Sequence, residues 1–319
     1  MSKSLRIVFM GTPEFAVATL DALVKSRHKV VAVVTTPDKP ANRGLKLQTS
    51  AVKEYAVKNN LPLLQPDKLK SEDFLNELKK INADLQVVVA FRMLPEVVWS
   101  LPKYGTINLH ASLLPQYRGA APINWAVING ETETGSTTFF ISHQIDTGDL
   151  LLQQKIDITE DDNAGTIHDK LMVSGSELLV RTVDAIADET VKAMPQPTVD
   201  LLKHAPKIFR DDCRIDWNRP ATEVFNFIRG LSPYPGAFTE LQNEEGEKMT
   251  LKIFNTKKHL ELIIPAGELL ISTKNETFIG CEDGALEILE IQAEGRKRMK
   301  TIDFLRGFPL NIGTWQAIG

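Results

Sequence analysis

Two short apolar runs near the start of the chain, 5–10 and 29–35, constrain its fold more than any other feature. Each has the length of a strand and is rich in Val, Ile, Leu or Met. Between them Gly11-Thr12-Pro13 turns the chain, and Phe15, Ala18, Leu20 (or Ala22) and Leu23 recur at helical spacing. Thr12 fits an N-cap and Pro13 the first helical position. Parallel strands need a long crossover, usually a helix, and that crossover is right-handed. The spacing therefore predicts a βαβ unit and a parallel sheet. The glycines do not follow Gly-x-Gly-x-x-Gly, so no dinucleotide site is inferred.

The same alternation continues downstream. Residues 50–58 and 71–80 read as helices, the second capped by Ser71 with acids in its first turn. Residues 61–66 form a short extended piece, and 84–90 are apolar without alternation, as in a strand buried on both faces. The run 106–109 leads into Asn108 and His110, which share a face because strand side chains alternate. Open α/β sheets bind ligands at the C-terminal ends of their strands. A helix starts at Pro122. Strands over 137–141 and 150–156 then flank the turn Asp146-Thr147-Gly148-Asp149. An amide, an imidazole and a carboxylate can thus gather at one rim. The amide can donate to a developing oxyanion, the imidazole can move a proton, and the carboxylate can orient the imidazole. Taken singly, each is ordinary. A polar strand end is commonly solvated, and Asp-Thr-Gly is good turn chemistry in any protein.

After a long amphipathic helix over 163–186 the chain changes character. Residues 188–212 hold Pro195, Pro197 and Pro206 among mixed charges and read as a linker, basic in its second half through Lys203, His204, Lys207 and Arg210. Beyond Asp216 come a short helix (221–229) and short alternating runs at 238–241, 250–254, 267–272, 277–280 and 285–291, the pattern of a small β-barrel. The expected domains are 1–188 and 211–319, joined by the linker 189–210. The 37 Lys and Arg against 41 Asp and Glu leave a net charge of −4, so any nucleic-acid binding must rest on local basic patches. Cys213 and Cys281 have no metal-ligand spacing and are too few for a disulfide framework, which fits a reducing cytoplasm. Met1-Ser2-Lys3-Ser4 runs straight into the first strand without a signal-peptide stretch, and no apolar run reaches the ~18 residues that span a bilayer.

The stretch 108–122, with Asn-x-His followed by Ser-Leu-Leu-Pro-x-x-Arg-Gly, together with Ile145-Asp146-Thr147-Gly148-Asp149, resembles the signature of the 10-formyltetrahydrofolate-dependent formyltransferases. The resemblance extends over nearly the whole chain, from Arg6 to a closing segment at 304–307. It implies a Rossmann-like, mostly parallel sheet followed by a small OB-like β-barrel. It implies Asn108, His110 and Asp146 as the catalytic set, Ser112, Leu113, Leu114 and Pro115 shaping the site of 10-formyltetrahydrofolate, and no metal. Gln116 and Arg118 are lesser candidates.

The long loop 36–49, with Pro37-Asp38-Lys39-Pro40-Ala41-Asn42-Arg43-Gly44, is similar to an insertion in the branch of the family that acts on initiator methionyl-tRNA. In that branch the loop reaches the acceptor end of the tRNA, which assigns Arg43 to the tRNA. A guanidinium can grip phosphate or stack on an unpaired base. Lys207 in the linker and Arg296, Lys297 and Arg298 near the end of the barrel are further candidates for holding tRNA phosphates. The implied activity is formyl transfer from the folate to the α-amino group of methionine on initiator tRNA, in translation initiation, by a cytoplasmic monomer with no membrane partner. The turn 91–95 departs from the family pattern, because Arg92-Met93 stands where most relatives carry a glycine. Alternatives with the same core are an enzyme formylating a sugar-nucleotide amine, which would not need the Arg43 loop, and a hydrolase releasing formate. A folate- or RNA-binding module without catalysis is a third, and the intact Asn108, His110 and Asp146 argue against it.

Overall fold

The computed structural model describes residues 3–40, 47–243, 246–272, 276–307 and 315–318, so Arg43 lies outside the described residues. The chain forms two compact units. The first comprises Met1–Gly119, Glu133–Ile156 and His168–His204; the second comprises Ala120–Thr132, Asp157–Ile167 and Ala205–Gly319. The segment read as a linker is therefore divided at His204 and Ala205. Two stretches that precede it in sequence belong to the second unit. Among the described residues no helix is long and apolar enough to cross a membrane.

In the first unit β1 (Arg6–Gly11), α1 (Glu14–Val24) and β2 (Lys29–Val34) form the expected parallel βαβ unit. Pro13, not Thr12, occupies the N-cap, with extended backbone and its carbonyl receiving Ala16 N at 3.0 Å. The buried face of α1 also differs from expectation. Ala16 and Thr19 are buried while Ala18 and Ala22 are half-buried. The reason is close packing: a Cβ on Gly11 would stand 2.7 Å from Ala16 Cβ, so the helix presses Ala16 onto the sheet. The next pieces are β3 (Lys39–Pro40), β4 (Leu47–Gln48), α2 (Ala51–Lys58), β5 (Leu63–Leu64) and α3 (Glu72–Ile81). β3 and β4 pair antiparallel at the two described ends of the long loop. Ser50 caps α2 by accepting Lys53 N at 3.1 Å. Ser71 stands at the N-cap of α3, but its hydroxyl turns back to Lys68 O at 2.9 Å and caps nothing.

β6 (Leu85–Val89) is buried along its whole length, and its one polar side chain, Gln86, accepts Thr106 Oγ1 at 3.0 Å. After α4 (Glu96–Trp99) come β7 (Thr106–His110) and β8 (Arg118–Gly119). The chain then makes α5 (Pro122–Ile128) in the second unit and returns for β9 (Glu133–Phe140) and β10 (Leu150–Asp157). The long helix α6 (Ala164–Ala187) follows, then β11 (His204–Ala205). The main sheet runs β10-β9-β7-β6-β1-β2-β5. Its strands from β5 to β7 are parallel, and β9 runs antiparallel to β7. Strand order reverses at β1, so the crevice that such sheets use for ligands opens beyond the C-terminal ends of β1 and β6.

In the second unit α7 (Ala221–Gly230) packs on α5, with Asn124 Nδ2 donating to Gly230 O at 2.8 Å. The barrel strands are β12 (Ala237–Asn243), β13 (Lys248–His259), β14 (Leu269–Ile271), β15 (Thr277–Cys281), β16 (Gly284–Ala293) and β17 (Met299–Lys300), followed by α8 (Thr301–Gly307) and β18 (Trp315–Ile318). Their order is β14-β15-β16-β13-β12-β18, and a bridge between Glu268 and Gln316 nearly closes the sheet on itself. Val224 and Ile228 of α7, with Trp217, fill the interior. The Trp217 indole finds its partner in Thr239 Oγ1 at 3.1 Å, as a buried N–H must.

Candidate active site

β7 lies between β6 and β9, with Asn108 opposite Val88 on one side and Phe139 on the other. Leu109 points toward α6, where a Cβ on Gly175 would meet it at 3.3 Å. Asn108 and His110 therefore share the opposite face. Asn108 is half-buried, and its carboxamide makes no hydrogen bond with another described side chain or backbone group. His110 is buried.

The loop after β7 decides what His110 can do. Ser112 is buried and its hydroxyl donates to Gln116 O at 2.7 Å. Tyr117 takes a left-handed backbone, φ +59°, and its N–H reaches Lys203 O at 2.6 Å. Its carbonyl is thereby turned back onto His110 Nε2, 2.8 Å away. A carbonyl only accepts, so Nε2 carries the proton. Nδ1 is left as the nitrogen that can gain or lose one. It faces Asp146 Oδ2 at 3.8 Å, too far for a direct hydrogen bond.

Asp146 is held at its side chain and at its backbone. Its backbone is left-handed, φ +55°, and its Oδ2 accepts Gly119 N at 3.0 Å. Gln196 Nε2 donates to both Asp146 O and Gly148 O, each at 2.9 Å, and so spans the turn. Gln196 Oε1 in turn accepts Arg118 Nη2 at 2.5 Å. Gly148 must be glycine, because a Cβ there would lie 1.7 Å from Phe140 O. Gln196 escaped sequence reasoning, since it sits in the stretch read as linker. Its one signal is that Pro195 and Pro197 stiffen the backbone on both sides of a lone amide.

Of the residues assigned to the folate site, Leu114 packs against Phe139 and Leu150. Pro115 is buried and Leu113 half-buried. Thr137 Oγ1 donates to Ser112 O at 2.6 Å and accepts Leu114 N at 3.1 Å, while Gln153 Nε2 donates to Leu114 O at 2.9 Å. The segment 112–115 is thus tied into the sheet by Thr137 and Gln153, two residues the sequence did not single out. At the crevice, the turn after β6 begins with Ala90 in the left-handed region, φ +47°, and Met93 stands exposed. Arg92 holds that turn by donating to Pro66 O at 2.8 Å and Asp67 O at 3.1 Å, and burial pushes its pKa down.

Among the residues assigned to tRNA, Lys207 is exposed with its ammonium 5.1 Å from the centre of the Phe209 ring. Arg296, Lys297 and Arg298 lie exposed on the turn between β16 and β17. Arg298 is already engaged there, by Glu290 at 2.5 Å and over the Phe254 ring at 4.3 Å.

Residues 5–183 match the family model described as formyl transferase, and 207–309 match that of the formyl transferase C-terminal domain. The chain is 55% identical over 315 residues to the methionyl-tRNA formyltransferase of Bacteroides thetaiotaomicron, covering 98% of each. It is 52% identical over 306 residues to the methionyl-tRNA formyltransferase of Flavobacterium psychrophilum, covering 96% of each. Among solved structures, an N-formyltransferase from Helicobacter canadensis, in complex with folinic acid and dTDP-3-aminofucose, shares the fold at TM-score 0.64 and 21% identity. That match covers 92% of this chain and 100% of the other. HypX from Aquifex aeolicus in complex with tetrahydrofolic acid does so at TM-score 0.64 and 19% identity, over 97% of this chain and 48% of that one.

Proposed function

Since the chain belongs to the formyl transferase family, we propose that it moves a formyl group from 10-formyltetrahydrofolate to the α-amino group of methionine on initiator tRNA. The likeness to methionyl-tRNA formyltransferases, at 55% identity over 98% of the chain, carries this reading. The geometry of the rim supports a role for each residue.

The amine attacks the formyl carbon and a tetrahedral intermediate forms. Asn108 donates its free N–H to the oxygen that becomes charged, a contribution of about a hundredfold or more in typical oxyanion sites. His110 Nδ1 receives the proton that the amine gives up, because Nε2 is committed to Tyr117 O. Asp146 stabilises the imidazolium that results. Its 3.8 Å separation from Nδ1 leaves the proton available to the substrate rather than locked to the carboxylate. The same nitrogen returns the proton to the departing folate nitrogen as its bond to the formyl carbon breaks. The crevice beyond β1 and β6, with Met93 at its edge, is the place for the folate co-substrate. Arg43 engages the tRNA, so Arg43→Ala raises the KM for tRNA while the folate KM stays put.

The test is a transfer assay with 10-formyltetrahydrofolate and three arms: methionyl initiator tRNA, a sugar-nucleotide amine, and no acceptor. Formyl-methionyl-tRNA as the dominant product is the expected result. Formylated sugar as the main product would overturn the substrate, and free formate without an acceptor would make the enzyme a hydrolase. Activity should fall toward acid pH, because a protonated amine cannot attack.

A further inference from the structure

The second unit contains a cavity of about 520 Å³ that the formyl chemistry does not use. Among the described residues, Phe209 and Tyr234 are the two aromatic side chains in the class of large apolar groups left in water, at 60% and 82% exposure. Both line this cavity. Lys207, Arg210 and Lys252 line it as well, and among the described residues no acidic one does. We infer that this cavity seats an unpaired nucleotide of the RNA substrate, its base against Tyr234 and Phe209 and its phosphate against Lys207 and Arg210. The inference rests on the proposed tRNA reading and adds a place on this chain where that RNA is gripped.

The backbone around both rings is fixed, which suits a stacking platform. Phe209 N donates to Asp212 Oδ2 at 2.8 Å, and Cys213 Sγ donates to Phe209 O at 3.2 Å. Tyr234 stands between Pro233 and Pro235, and Lys252 Nζ donates to Pro235 O at 2.8 Å. Gly236 follows with φ +88°, where a side chain would strain the backbone and come within 3.1 Å of Phe254. With the backbone held, only the two side-chain torsions of each ring remain to be ordered when a base stacks on it. Stacking on aromatic faces beside cations is the general means of holding unpaired nucleotides, because every base has a π-face and every linkage a charge. A double helix hides its base faces and does not fit. A free mononucleotide offers the same base and phosphate but no flanking linkages, so it gains less from the surrounding cations and should compete more weakly.

The test uses the full chain. Fluorescence anisotropy with a labelled single-stranded adenylate hexamer, a duplex RNA of equal length and AMP as competitor reports on the cavity directly. Single-stranded RNA should bind in preference to duplex. Tyr234→Ala and Phe209→Ala should each weaken it about tenfold, and Tyr234→Phe should preserve it. In the transfer assay the same two alanine variants should raise the KM for methionyl-tRNA by a similar factor with kcat unchanged. Hexamer binding indifferent to both alanine variants overturns the inference, as does AMP binding as tightly as the hexamer. A wild-type chain inactive on methionyl-tRNA would sink the functional reading alone, because the hexamer arm still judges the cavity.

Discussion

Among its described residues the first unit contains two buried histidines that each face an aspartate, and only one of them is arranged to react. His28 has both ring nitrogens committed: Nδ1 accepts Leu5 N at 3.1 Å, and Nε2 meets Asp184 Oδ1 at 3.1 Å. Asp184 also binds Arg27 at 2.5 Å, and Asp188 takes the same guanidinium at 2.7 Å. His110 has one nitrogen committed, to Tyr117 O, and the other 3.8 Å from Asp146. The two are almost equally buried, 5% and 7% exposed, so burial cannot distinguish them. What distinguishes them is a nitrogen without a hydrogen bond among the described residues, on the same strand face as a carboxamide in the same condition. A closed His–Asp pair is structural, and an open one can move a proton.

The largest expected effect tests this contrast head on. His110→Ala and Asn108→Ala should each lower kcat by about a hundredfold or more in the transfer assay, with the KM for tRNA little changed. His28→Ala should leave kcat alone and lower unfolding stability by about 1–3 kcal/mol, because Leu5 N and Asp184 lose a buried partner. Equal kinetic losses at both positions would erase the distinction. Next in size is Asp146→Asn, which can keep the bond from Gly119 N but removes the charge facing Nδ1. A fall in kcat of roughly tenfold or more is expected, against none for Asp184→Asn.

Gln196→Ala should cost about tenfold in kcat with an unshifted pH–rate profile, since Gln196 acts through the turn that positions Asp146 and does not itself titrate. A shifted profile would place it closer to the chemistry. The smallest effect concerns pH. Burial pushes the His28 pKa below its ordinary value near 6.5. The unfolded chain then takes up the proton first as pH falls. Stability attributable to His28 is present above that value and declines below it, and denaturant titrations of His28→Phe should show a flatter decline than the wild type.

How much of this was legible beforehand depended on the range of the interaction. The pairing of β1 with β2, the buried run of β6 and the common face of Asn108 and His110 follow from local periodicity. The cap of α1 and its buried face did not, because the close approach of Ala16 to Gly11 is a packing result. Asp146 was picked out by its motif. Gln196 was not, because it reaches Arg118, 78 residues away, from a stretch whose prolines and charges look like a connector.

The sequence alone determined the identity and spacing of the reacting groups, since a period of two is a property of any strand. The tertiary structure decided which nitrogen of His110 is available and how far Asp146 stands from it. The groups that make those decisions are Tyr117 O, Gly119 N and Lys203 O. They are backbone atoms, which nearly every residue carries alike, so no side-chain pattern can reveal which of them will meet.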